Sequence, residues 1–386
     1  MKWKWKTPLG ESIPEKKSPR ENSKHEPEWL ENYRAKNLEV VSERPVRKSK
    51  YTSISRLEAL LNAGNPGKGV LPKATGGGIT IIPLEKALLE MPERLEKIFS
   101  REEKPKDQFE AFVNANFSSG FVAVIGKNAG KENIEINAAF SGNVCVKNIF
   151  IVERGCRAIV AEKISGNGNA LVNETVFIED GAEMVFLKIN THEGGMVEGQ
   201  QCILQNNAKL ENFSSWFGGK LSRGKTTTIF DGNGAEGKDL FVLLGKGSAN
   251  FDLNYISVHR GTNSSSHAVF RAVLKDESRN VFDGMIRILP SGGKANALLE
   301  CHSMILGEKA SSNQIPGLEI ETDDVKATHS ATVARIDDEK LFYLESRGIA
   351  KKEAEKMVVK GFLESVVFML NEKARAAIEA QIEKSL

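Results

Sequence analysis

The residues of this chain best equipped for chemistry lie late in the sequence. His329 sits in Ala327-Thr328-His329-Ser330-Ala331-Thr332, among small and hydroxyl neighbours, and Cys301-His302 sits in LLECHSMIL. Imidazole and thiolate are both metal ligands, and iron is among the metals they hold. A single strand histidine is as readily a half-buried strand residue as a ligand, and a cysteine in an apolar strand is commonly a buried small hydrophobe. Cys145, Cys156, Cys202 and Cys301 form no CxxC pair, and no Cys/His group has zinc-site spacing. That spacing excludes a self-contained cluster on four local thiolates, but not a metal shared between chains. His192, His259, His267 and His302 are scattered, with no ligand geometry among them. No GxSxG or HExxH occurs. The pairs Asp323-Asp324 and Asp337-Asp338 cannot act as acid/base dyads, because adjacent strand residues point to opposite faces. Gly76-Gly77-Gly78 lacks the context of a phosphate loop.

The element that must position His329 is Leu318–Ile349, LEIETDDVKATHSATVARIDDEKLFYLESRGI. It opens with period-2 alternation, turns helical at Asp337-Asp338 and stops at Gly348. The histidine therefore belongs on a strand at a sheet-to-helix junction. From Phe117 to Ile336, strand-like runs such as FVAVI, ALVNETVFIE and EMVFLKIN follow one another with turn residues between them. Turn pairs recur at Gly155, Gly181, Asn207 and Gly234, at spacings of 26, 26 and 27. A later set, ending at Ala295, Ala310 and Ala327, repeats at 15 and 17. A fixed period in strand-only sequence predicts stacked coils that bury one continuous core. The expected fold is mainly β: a right-handed parallel β-helix over residues 117–336, capped by helices at both ends. Asn167-Gly168 and Asn233-Gly234 are hairpin signals and keep an antiparallel sandwich open. Stacked coils would bring Cys301 within a few rungs of His329.

Residues 1–116 read as a basic tail and a helical region, in which Trp29, Leu30 and Tyr33 share one face of a short docking helix and Ile79–Phe99 runs from strand into helix. Residues 64–78 read as a glycine-rich loop. Residues 337–386 read as helical, with an apolar stripe through Ala354, Met357, Val358, Gly361, Phe362, Ser365, Val366 and Met369 that serves either the chain's own core or a partner. Net charge is +2, with 13 Lys/Arg against 8 Asp/Glu in the first 50 residues, so no whole-chain field points to nucleic acid or an anionic membrane. No apolar run is long enough to span a membrane, and MKWKWK lacks the apolar core of a signal peptide; a cytoplasmic protein is expected.

DQFEAFVNANFSSGFVAVIGKN, RNVFDGMIRI, ECHSMILGEK and above all Leu318–Ile349 resemble the SufB/SufD family, the scaffold subunits that assemble iron–sulfur clusters in the SUF system. The resemblance runs from about Glu26 to about Leu370. It implies a β-helix with helical ends and a non-catalytic scaffold. It also implies a SufC-type ABC ATPase as partner, docked on the C-terminal helices through Met357, Val358, Phe362 and Val366, and a second scaffold chain that is SufB-like or another copy of this one. The chain looks more like the SufD side. Where SufB-type chains carry Glu-His-Glu it reads Thr328-His329-Ser330, and the SufB-type cysteine falls at Ala310. The interior sulfur-accepting cysteine has no counterpart near Asn190–Thr191, although Trp216 matches the tryptophan that follows it. By resemblance, His329 is the residue that would hold a transient iron–sulfur cluster at the subunit interface, with Cys301 the nearest thiol. Nucleotide would bind the partner, not this chain. Two other readings stay open: a structural partner of the ATPase without a metal site, and a β-helix enzyme acting on polysaccharide, which needs carboxylates clustered along an exposed sheet face.

Overall fold

A computed structural model describes residues 5–6, 12–13, 26–43, 71–105, 108–129, 133–370 and 372–386. Most of the expected basic tail, and residues 64–70 of the glycine-rich loop, lie outside the described residues. Successive strands alternate between two nine-stranded sheets. The first contains Lys73–Thr75, Ile134–Phe140, Arg157–Gly166, Glu183–Asn190, Lys209–Trp216, Glu236–Gly245, Ser265–Leu274, Asn296–Ile305 and Lys326–Arg335. The second contains Ile79–Pro83, Phe121–Ile125, Val144–Val152, Ala170–Ile178, Gly195–Leu204, Leu221–Phe230, Asn250–His259, Arg279–Ile288 and Ser311–Ile320. Only Lys73–Thr75 and Ile79–Pro83 pair antiparallel with their neighbours; all the other pairings within these two sheets are parallel. Parallel neighbours cannot be hairpins, so the sandwich is ruled out and the molecule is a β-solenoid of about eight turns.

The turn stack explains the sequence period. Gly155, Gly181, Asn207 and Gly234 all have left-handed φ, of 67°, 65°, 54° and 66°. Glycine and asparagine tolerate this region, so they recur once per coil. Each donates its N–H to the turn of the next coil, as from Gly181 to Asn206 O at 2.8 Å. The stack continues through Asn263 (φ 55°) and Lys294 (φ 60°). The coils also lengthen. Register steps are 26 residues at Arg157↔Glu183, 29 at Glu236↔Ser265 and 31 at Ser265↔Asn296. The faster repeat at Ala295, Ala310 and Ala327 is therefore not a shorter coil. Ala310 precedes a second-sheet strand, whereas Ala295 precedes and Ala327 opens first-sheet strands, so those spacings are half-coils. Gly78 (φ 77°) has a packing role: a Cβ there would lie 2.2 Å from Ala129 N.

Inward side chains of both sheets form the core, with aromatic contacts such as Phe121–Phe150 and Phe270–Phe282. The N- and C-terminal helical regions flank the β-helix as expected, and they lie on its sheet faces and not across its ends. Helices α1 (Glu28–Glu43), α2 (Leu84–Glu90), α3 (Pro92–Arg101) and α4 (Gln108–Asn116) bury Leu30, Leu88, Leu95, Phe99, Phe109 and Val113 against the outer face of the second sheet. After α5 (Asp338–Ser346), helices α6 (Lys351–Val367) and α7 (Glu372–Ser385) bury Val359, Leu363, Val366, Ile378 and Ile382 against the first. Helix α6 packs mainly on Glu236–Gly245 and Ser265–Leu274, coils that precede the last one. No described helix is long and apolar enough to cross a membrane.

A buried ion pair fastens the N-terminal helices to the second sheet. Lys147 Nζ lies 2.8 Å from Glu102 Oε1, with the two side chains 2% and 3% exposed. Tyr33 and Thr175 hydroxyls donate to the same carboxylate. Removing one partner strands a charge in low dielectric, so Glu102→Ala is expected to destabilise the protein by about 3–5 kcal/mol. Urea unfolding midpoints check this, and a loss below about 1 kcal/mol would mean that water reaches the Lys147 ammonium.

Candidate functional site

The last coil ends both sheets. Ser311–Ile320 and Lys326–Arg335 each pair with one neighbour only, so each offers an open main-chain edge. His329 lies on that edge of the first sheet, exposed, in register with Leu299. Leu299 and Cys301 are wholly buried core residues, so His329 and Ala331 share the inward side of the sheet. The next coil would have covered this side. Cys301 is opposite Ala331, so the two candidate ligands sit on neighbouring strands, displaced by two residues. The sequence placed them within a few rungs; the separation is one.

Burial pushes the Cys301 thiol up to about 12, against a partial lowering by Arg271. It is a protonated core thiol unless a metal displaces the proton. Among the described residues, no group of three or more His, Cys, Asp and Glu side chains is arranged to hold a metal. A site at His329 thus needs donors beyond those this chain assembles around it. The outward side of the same strands pairs His267 with Glu300, Nε2 donating to Oε2 at 2.9 Å, with His302 beside it. These residues looked scattered because neighbouring strands here stand about thirty residues apart, as in Ser265↔Asn296.

The last coil also carries exposed apolar side chains. Leu318, Ile320 and Val333 are 39%, 42% and 46% exposed, on the last two strands. Arg287 clamps Ser311–Ile320 from the coil below, its Nε 3.1 Å from Glu319 Oε1. The strand-to-helix junction forms as the sequence indicates. Asp337 caps α5, its Oδ1 accepting from Glu339 and Lys340 N–H at 3.1 and 3.2 Å, and Gly348 adopts φ 87° after the helix. The N–H of Lys340, with smaller contributions that include Glu339, holds the Asp337 carboxyl below its usual range.

Helices α5 and α6 enclose a groove of about 460 Å³ lined by Asp337, Glu339, Lys340, Tyr343, Leu344 and Val358. Tyr343 in this lining is exposed, as are Phe342 and Met357 on the same two helices. The sequence's stripe divides here. Val366 is wholly buried against the first sheet and is not available to a partner. Phe362 is half-buried on the same cluster, with the Arg271 guanidinium 5.7 Å from its ring centre. Val358 lines the groove, and Met357, next to it in sequence, is exposed. Sequence reading missed Tyr343 and Leu344; the adjacent apolar residues of DEKLFYLES, more than one helix face can bury, were the available signal.

Residues 136–362 match the family model described as SUF system FeS cluster assembly, SufBD core domain. The iron–sulfur cluster assembly protein SufD of Bacillus subtilis is 38% identical over 156 residues, which is 39% of this chain and 36% of that protein. SufB of the same organism is 31% identical over 165 residues, 43% of this chain and 36% of that one. A SufBD family protein of Staphylococcus saprophyticus is 31% identical over 166 residues, again 43% and 36%. The matched stretch spans about a third of the length of each of these relatives.

Proposed function

The chain belongs to the SufB/SufD family of the SUF iron–sulfur cluster assembly system, and from that premise we propose that it is a non-catalytic, SufD-like scaffold subunit. The observation that carries the proposal is the last coil: two open strand edges with apolar side chains between them and an exposed histidine on the inward side. A second scaffold chain, SufB-like or a copy of this one, adds to these edges near a two-fold or pseudo-two-fold axis. His329 then faces donors from that chain, and an iron–sulfur cluster is built there as cargo and released. Residues 1–116 serve as the N-terminal region, 117–336 as the β-helix and 337–386 as the platform for a SufC-type ABC ATPase. Nucleotide binding to the ATPase supplies the movement, transmitted through α5 and α6. A polysaccharide-active reading is disfavoured because outward carboxylates of the first sheet are tied up by cations, as in Arg157–Glu183, Lys209–Glu236 and Lys238–Glu211.

The docking site is the groove beside Tyr343, with Met357 and Val358 as contacts. Phe362 and Val366 act behind it by holding α6 on the sheet. Met357 is 51% exposed, so Met357→Asp leaves the fold intact. A desolvated interface anchor contributes about 2 kcal/mol or more, so the variant is expected to bind the ATPase at least about thirtyfold more weakly. Co-purification and titration of the purified ATPase measure this; wild-type affinity in both Met357→Asp and Tyr343→Asp would remove the docking assignment.

A further inference from the structure

Four ionisable side chains meet in the solenoid interior, away from the last coil. Glu162 and Lys188 are register partners on neighbouring strands of the first sheet. Glu174 and Glu198 reach the same place from neighbouring strands of the second. None is more than 5% exposed. The Lys188 ammonium contacts the carboxylates of Glu174 and Glu198. Glu162 has no such cation contact. Neither of its oxygens receives a hydrogen bond from a described residue, and the ammonium opposite it in register is already held by Glu174 and Glu198. Two ionised carboxylates flanking one ammonium have no hydrogen between them to share, and they can hydrogen-bond to each other only when one is protonated. Fully ionised, the group would also seal three negative charges around one positive charge away from water.

We propose that Glu162 and Glu174 share one proton at neutral pH, so that the interior of the middle coils is a proton-holding, pH-sensitive lock. The charged groups that face Glu162 are Glu174, Lys188 and Glu198; the register partners of Glu174 are the neutral Asn148 and Gln200. Burial, and then the Glu174 charge, raise the Glu162 carboxyl well above its usual range. Burial opposes the charge on Lys188, but Glu174 and Glu198 outweigh it and keep the ammonium protonated. The native state therefore retains a proton that the unfolded chain releases above a glutamate's usual 4.5. With more protons bound folded than unfolded, the stability contributed is full below that value and is lost as pH rises, until the native pair itself ionises.

The test uses the full chain, its Glu162→Gln variant and its Glu174→Gln variant. Glutamine keeps the shape and supplies a donor without a titrating proton. Urea unfolding between about pH 5 and about pH 9 should show the wild-type unfolding constant rising with pH more steeply than that of Glu162→Gln, by up to about tenfold per pH unit for one proton. Infrared spectra at neutral pH should show a buried protonated-carboxyl C=O band in the wild type that is lost in Glu162→Gln and shifted in frequency in Glu174→Gln, where the partner of that carboxyl has changed. Parallel pH slopes in wild type and Glu162→Gln overturn the proposal. So does a wild-type spectrum with no protonated-carboxyl band, a result that does not depend on any variant folding.

Discussion

Leu318→Asp combined with Val333→Asp is expected to leave the solenoid folded and separate it from the scaffold chain proposed to add to its last coil. Both residues project on the inward side of a coil that has no successor, at 39% and 46% exposure, so neither is a core residue of the isolated chain. Strand edges of ten residues in each sheet, flanked by such side chains, are the kind of surface that soluble proteins keep covered. Solenoids in general end in repeats with a polar outer face, whereas this end exposes Leu318, Ile320 and Val333. Two carboxylates at the centre of the added interface would each lose about 2 kcal/mol or more, together about a thousandfold in affinity. Light scattering behind size exclusion, on this chain alone and co-expressed with a SufB-like chain, measures the mass, and circular dichroism checks that the strands persist. A variant whose complex has the wild-type mass would put the scaffold interface elsewhere.

The solenoid was legible because left-handed turns demand particular residues. Gly155, Gly181, Asn207 and Gly234 record the coil length directly. The signal faded at Lys294, which has the same left-handed backbone but is not a residue type that announces a turn, and the coils grow there. Helical patterning found α5 to α7 but could not say what they face. An apolar stripe tells only that something covers it, and for Val366 the cover is the chain's own sheet. The pairing of His329 with the Cys301 strand was legible from motif and period together. The Glu162–Glu174–Lys188–Glu198 group was not. Its members come from four strands in two sheets, and their meeting depends on cross-sheet register that no local spacing encodes.

His329→Ala should give a complex of normal mass that fails to hold its cluster. The side chain is exposed on an edge strand, so its loss leaves the main-chain pairing groups of Lys326–Arg335 untouched. Neutral imidazole ligates iron, and a site split between two chains is open enough to release what it builds. Even the outer partners of metal ligands are worth about ten- to a hundredfold in affinity, so a direct ligand should cost at least that much. Iron and acid-labile sulfide per complex, after reconstitution without oxygen, give the readout, with native mass as the control for assembly. Cys301→Ser separates the roles of the two residues. Cys301 is a fully buried thiol, pushed up to about 12 by burial, and becomes a ligand only if the cluster draws its proton away. Loss of cluster in both variants would make the site a mixed His/Cys one. Loss in His329→Ala alone would leave Cys301 a core residue and assign the thiolates to the partner. Full cluster content in His329→Ala would reduce the histidine to an ordinary edge-strand residue and the chain to a structural platform for the ATPase.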